Sequence, residues 1–185
     1  MVIGPIPAQW LPDAKISRII VHWTAGGNKA GDVDRAHYHV LIEGDGNLVR
    51  GVPTIDLNSE PRAKAGYAAH TLNCNTGSIG VSLCGMAGAN EIPFRPGNSP
   101  LTKKQWDTLA QVIAQLCRRY GIAVEPKTVL THAEVQKTLG IKQRGKWDIA
   151  RLPFDSSVIG APAVGAQMRE KAFAELTTLK IGTVK

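Results

Sequence analysis

RIIVHWTAGG, residues 18–27, begins as a short β-branched run and ends in a loop of small residues. Isoleucine and valine are stiff at χ1 and pack well on a pleated surface, so 18–23 reads as a buried strand, and TAGG reads as the loop leaving it. His22 then stands at a strand end. TVLTH, 128–132, repeats the pattern: a short apolar strand ending on a histidine. Two such strands in one sheet could bring His22 and His132 together.

The elements between them build the sheet outward. HVLIEGDGNLVRGVP, 39–53, has two apolar runs around Gly-Asp-Gly-Asn, a hairpin signal because glycine and Asn/Asp tolerate the positive φ of tight turns. Tyr38 and His39 stand at its entrance. GSIGVSLCG, 77–85, reads as a further strand framed by glycines. LTKKQWDTLAQVIAQLCRRYG, 101–121, is the clearest helix, with Thr102 and Gln105 as a capping box, Leu109, Val112, Ile113 and Leu116 as an apolar stripe, and Gly121 as the stop. A second helix is expected over about 164–179, where Val164, Met168, Ala172, Phe173 and Leu176 roughly share a face. The order predicts an α/β (α+β) architecture: one mixed sheet of about five strands flanked by helices, in a single domain covering 1–185. Loops are expected at 24–37, 54–76, 86–101 and 133–162, and loops of that length often carry function.

Composition narrows the function classes. At 185 residues and 43% hydrophobic, the chain can bury a real core. Cys74, Cys84 and Cys117 are an odd number without metal-ribbon spacing, which argues for a reducing compartment and against a disulfide framework or thiolate metal site. No apolar run is long enough to span a bilayer, and residues 1–15 lack the charged start and apolar core of a secretion signal. The net charge of +7 favours an anionic partner: nucleic acid, a membrane surface or an acidic polymer such as bacterial cell wall. The lysines and arginines are scattered, however, with no aromatic-basic stacking pattern, so no nucleic-acid binding is expected.

For chemistry, a hydrolytic zinc site needs three protein ligands and an open position for water. His22 and His132 end separate strands and Asp148 follows in a loop, so all three could converge on one rim of the sheet. Spacing alone leaves the ordinary alternative open, since most lone histidines are core or surface residues. In GKWDIA, 145–150, Lys146 and Asp148 could equally be a surface ion pair, worth only about 0–1 kcal/mol.

IIVHWTAG, YHVLIEGDGNLVRGV, HTLNCNTGSIGVSLCG, LTHAEV and KWD stand in the order, and close to the spacing, of the zinc-dependent N-acetylmuramoyl-L-alanine amidases. The resemblance covers about residues 16–153. That family includes amidase-type phage lysozymes, cytosolic muropeptide-recycling amidases and animal peptidoglycan recognition proteins. It implies the peptidoglycan-recognition-protein-like fold and one Zn2+ held by His22, His132 and Asp148. It implies Lys146 as the cation that steadies the oxyanion, and Tyr38 as the hydroxyl that orients, or shares a proton with, the attacking water. His70 matches a histidine of the phage branch that could contact substrate. Thr24 and Asn75 are expected to line the site, with Ala25, Gly26 and Gly27 giving close approach. His39 is expected beneath the site, His37 in solvent and Trp147 in packing.

The sequence departs from the recycling branch at Ser82, where those enzymes carry a glutamate. Tyr38 with Lys146 is therefore the expected proton machinery, with Glu134 and Glu91 in reserve. The resemblance implies hydrolysis of the amide between N-acetylmuramic acid and L-alanine, in the setting of a phage or prophage endolysin. Such an enzyme would be a monomer without membrane insertion, waiting in the cytoplasm until it is released to the wall. The alternatives are a peptidoglycan-binding module without activity and a cytosolic recycling amidase.

Overall fold

The computed structural model describes residues 4–181, with side chains through residue 178. The expected first strand is β1 (Arg18–Trp23), and the hairpin is β2 (Val40–Ile42) antiparallel to β3 (Leu48–Arg50), with Gly46 at φ 85° in the turn. β4 (Ser78–Leu83) and β5 (Val129–Thr131) complete a five-stranded mixed sheet in the order β3-β2-β4-β1-β5, with β1 parallel to both its neighbours.

Side chains alternate across this sheet, and the alternation separates core from site. Ile19, Val21 and Trp23 of β1 and Ile79, Val81 and Leu83 of β4 join the large hydrophobic core, whereas Ile20 and Leu130 face the other way with Val135. His22 shares the second face with Ile20. Its parallel partner across the ladder is Ser82.

The principal core face is covered by α2 (Lys103–Tyr120) packed against α4 (Ala161–Ile181). Leu109, Val112, Ile113 and Leu116 are all fully buried, worth about 1.5–3 kcal/mol each. Thr102 accepts from Gln105 N–H, and Gly121 closes the helix at φ 67°. α4 begins and ends slightly outside 164–179. Its buried residues include Val164, Met168 and Ala172, but Phe173 is 58% exposed, because one residue past Ala172 turns the side chain by about 100° around the axis.

Two short helices lie inside expected loops. α1 (Asp32–His37) buries none of its residues, so it leaves no apolar period in the sequence. α3 (His132–Leu139) begins where Thr131 N–H donates to Glu134 Oε2 and ends on left-handed Gly140. That Thr-x-x-Glu…Gly pattern was a readable helix signal. A small hairpin, β6 (Arg151–Leu152) with β7 (Asp155–Ile159), precedes α4.

Gln105 does more than cap. Its side chain is fully buried, its Oε1 accepts from Thr102 N–H, and its Nε2 donates to the carbonyls of Ile42 and Cys84, just where β2 and β4 end. Gln105→Leu would orphan Thr102 N–H and take one of two donors from each carbonyl, since Ile42 O also accepts from Cys84 N–H and Cys84 O from Asn28 Nδ2, at a cost of about 1–3 kcal/mol. We expect this variant to show a clearly lower urea midpoint at unchanged m-value; an unaltered midpoint would refute the bridging role.

Candidate metal centre and active site

β1, β5 and the segment after α3 bring the three expected ligands to one point. His22 is the penultimate residue of β1. His132 is the first residue of α3, one step beyond the strand end. Asp148 arrives from the 140–148 loop, whose carbonyl at Asp148 is held by Ala133 N–H. His22 Nδ1 and His132 Nδ1 each lie 3.1 Å from Asp148 Oδ2, and one ligand atom from each of the three residues lies within 4.8 Å of the others. All three residues are buried.

The hydrogen bonds behind the rings decide which lone pairs face forward. His70 Nε2 faces the carbonyl of Ser78, which can only accept, so the His70 proton sits there and its Nδ1 is an acceptor. His22 Nε2 lies 3.2 Å from that Nδ1 and 3.3 Å from Thr71 Oγ1, and donates toward them. Gln143 Nε2 donates to the carbonyl of Leu72, which turns its Oε1 toward His132 Nε2 at 2.9 Å, so His132 also donates backward. Both Nδ1 lone pairs are then left facing a carboxylate oxygen.

The electrostatics agree. Burial lowers the His22 pKa to about 4, outweighing the hydrogen bond to Asp148, so the ring is neutral at pH 7. Burial also works against ionisation of Asp148, and without a cation a ring proton turned toward Oδ2 offsets it and holds the carboxyl at about 2; a cation at the shared point would take that proton's place. Two imidazole nitrogens and one carboxylate oxygen converging on a shared point form a donor set that a divalent cation fits. Oxygen with imidazole nitrogen is a zinc-type set.

The cleft in front of this trio has a volume of about 540 Å³. Tyr38, which caps the C-terminus of α1, stands over it with its ring 5.1 Å from that of His22. Burial, then the charge of Asp148, raise its pKa far above that of an ordinary phenol, with only a smaller opposing effect from the Ser82 hydroxyl. It is therefore a proton donor at neutral pH rather than a base. Lys146 lines the same cleft, exposed, and pairs with neither Asp148 nor any other described carboxylate. The ion-pair reading of GKWDIA fails because Asp148 Oδ2 is already engaged by two imidazoles. Trp147, between them, turns into the core and packs edge-on against Trp23 at 4.4 Å.

The remaining candidates occupy supporting positions. His70 lines the cleft, but both its ring nitrogens are engaged inside the protein, and its place is behind His22. Thr24 Oγ1 accepts from Gly26 and Gly85 N–H, and Asn75 Oδ1 accepts from His70 and Thr71 N–H, so each uses its polar atom to shape the wall. Beneath His70, His39 accepts from Gly80 N–H and donates to Asn58 Oδ1. Exposed His37 bonds the carbonyl of Val33. Glu134 is not in the cleft: it is buried and ion-paired with Arg169 of α4. Glu91 is exposed in the 86–101 loop, away from the cleft lining. Gln143 and Thr71 escaped sequence reading, since neutral polar residues in loops carry no periodic or charge signal.

The family model described as N-acetylmuramoyl-L-alanine amidase matches residues 12–149, which include every residue of the trio. The chain belongs to this amidase family. It is similar in structure to the N-acetylmuramoyl-L-alanine amidase LysC from Clostridium intestinale URNW, at 18% identity over 82% of this chain and 87% of that one, TM-score 0.46. It is also similar to the Ph2119 endolysin of Thermus scotoductus MAT2119 bacteriophage Ph2119, at 16% identity over 88% of each chain, TM-score 0.48. A third similar structure is the amidase AmiD from E. coli in complex with anhydro-N-acetylmuramic acid-L-Ala-D-gamma-Glu-L-Lys, at 20% identity over 64% of this chain and 49% of that one, TM-score 0.44. No curated protein matches the sequence. The amidase has the mixed five-stranded sheet and flanking helices expected of the family, and no helix among the described residues is long and apolar enough to cross a membrane.

Two outcomes follow from the ring network. Gln143→Ala removes the acceptor that orients His132 and should weaken zinc binding about 10- to 100-fold, read by competition with a chromophoric chelator; unchanged affinity would refute the orienting role. His39 is buried and neutral, its pKa lowered to about 4 by burial against the bond to Asn58. The unfolded chain takes up a proton near pH 6.5 that the folded chain resists down to about 4. Stability therefore falls as pH drops through that window, by up to about 3 kcal/mol from this group. Urea titrations of chelator-treated protein at pH 7 and 4.5 should show the fall, and His39→Gln should reduce it.

Proposed function

We propose that this amidase is a zinc-dependent peptidoglycan hydrolase that cuts the amide between the lactyl group of N-acetylmuramic acid and L-alanine, in the setting of a phage or prophage endolysin. The observation that carries the reading is the convergence of the His22 and His132 Nδ1 lone pairs on Asp148 Oδ2, at the floor of a cleft that also holds Tyr38 and Lys146.

An unactivated amide needs a nucleophile stronger than bulk water, a polarised carbonyl and a stabilised oxyanion. When bound by His22, His132 and Asp148, zinc supplies the acidified water and part of the polarisation. The side chains of the cleft supply the rest. The Lys146 ammonium, unpaired and facing the cleft, stabilises the negative charge that grows on the carbonyl oxygen. Tyr38, kept protonated by burial and by Asp148, donates a hydrogen bond that orients the reacting oxygens. His70 and Gln143 hold the two imidazoles in the tautomer that leaves Nδ1 free. The net charge of +7 suits an anionic wall polymer, and Ser82 in place of the recycling-branch glutamate favours the endolysin setting over the recycling one.

His22→Ala, His132→Ala and Asp148→Ala should each lose both zinc and activity, whereas Lys146→Ala should retain zinc and lose turnover by about 100-fold or more. Metal analysis and mass spectrometry of digested peptidoglycan read both. Zinc present without amide cleavage in the parent protein would overturn the enzymatic reading, and equal zinc loss in the Lys146 variant would overturn its assigned role.

A further inference from the structure

Two buried side-chain oxygens among the described residues have no hydrogen-bond partner: Ser82 Oγ and Thr131 Oγ1. Their registers differ. Thr131 pairs with Val21, on the face turned to the main core, while Ser82 pairs with His22, on the face turned to the cleft. Ser82 is fully buried within β4. An unpaired buried hydroxyl is destabilising, a cost that alanine at the same position would avoid. The neighbour on the cleft side that can receive this hydroxyl is Tyr38. Its ring lies 5.1 Å from that of His22, the register partner of Ser82, which puts both side chains against the same imidazole.

We propose that Ser82 is the positioning residue for Tyr38: Ser82 Oγ–H donates to Tyr38 Oη, so that the proton of Tyr38 itself points out of the sheet toward the substrate. The bond gives the buried Ser82 hydroxyl the partner it otherwise lacks. The direction follows from supply and demand. Tyr38 must spend its single proton on the cleft, so its oxygen is free to accept, and the Ser82 proton has no competing acceptor. A hydrogen bond received at Oη also makes the phenol a stronger donor. Ser82 thus supports the proton machinery by aiming it, a task a serine can perform without acting as a base. This assignment rests on Tyr38 being part of the catalytic machinery.

The test is a double-mutant cycle on the zinc-loaded enzyme with a soluble muropeptide, together with two measurements that do not depend on turnover. Ser82→Ala should lower kcat about 5- to 10-fold with KM unchanged, the effect of one neutral hydrogen bond. In a Tyr38→Phe background the same substitution should change nothing further. The urea midpoint of metal-free Ser82→Ala should fall slightly, since a buried hydrogen bond is lost, and the same substitution should not lower it in the Tyr38→Phe background. The 13Cζ resonance of Tyr38 should shift at neutral pH. Equal kcat losses in both backgrounds, an unchanged kcat, a midpoint that does not fall or an unmoved resonance would each overturn the proposal. Full turnover in Tyr38→Phe would instead remove Tyr38 from the mechanism, and the resonance would still report whether the bond exists.

Discussion

Two imidazole lone pairs and a carboxylate oxygen meet at one buried point, and much of the surrounding structure serves to keep them there. With both Nδ1 atoms unprotonated this arrangement is repulsive, and burial, which keeps His22 neutral, leaves the point in need of a positive charge. Such a point is stable when a cation occupies it or when a proton is drawn in, and the polar groups behind the rings select the first. Ser78 carbonyl, His70 and Thr71 on one side, and Leu72 carbonyl and Gln143 on the other, take up both Nε2 protons. The fit of this point for a cation therefore depends on residues directly behind the three side chains as much as on the three themselves.

The sheet supplies the rigidity this requires. β1 is an interior strand, flanked by parallel β4 and β5, so the strand that carries His22 is held from both sides. One face of that sheet is closed by α2 and α4 over aliphatic side chains, and the opposite face carries the polar site. The division follows from the two-residue period of a strand, which sends Val21 and Trp23 into the core and His22 into the cleft. Gln105 ties the helix layer to the strand ends at Ile42 and Cys84, so the large core and the site share one frame. The Glu134–Arg169 ion pair does the same for α3, whose first residue is His132, by anchoring it to α4.

Around the metal point the charged groups divide by exposure. Asp148 is buried and engaged, which suits a ligand, whereas Lys146, two positions earlier, is exposed and unpaired, which suits a group that meets an incoming carbonyl. Trp147 makes this possible: by packing on Trp23 it fixes the backbone, so that its two neighbours emerge on the cleft side. Tyr38 reaches the same space from the end of α1, a helix too short and too exposed to be stabilised by burial of its own side chains.

Local patterns in the chain determined the strands, the hairpin turn and the long helix with its caps, because each depends on side-chain period and on backbone preferences acting within a few residues. α1 was illegible because it buries no side chain, and α3 left only a capping pattern. The five motifs in register also determined the family and the identity of the trio. Tertiary structure alone decided everything that depends on who stands behind whom. It placed His70 against the back of His22 while leaving it in the cleft wall, took Glu134 out of the cleft into an ion pair, and recruited Gln143 and Thr71 from featureless loops. It also left the Ser82 hydroxyl alone beside Tyr38. These are contacts between residues tens of positions apart, and hydrogen-bond direction among them is set by the acceptor or donor that happens to lie behind each atom, a fact no window of sequence contains.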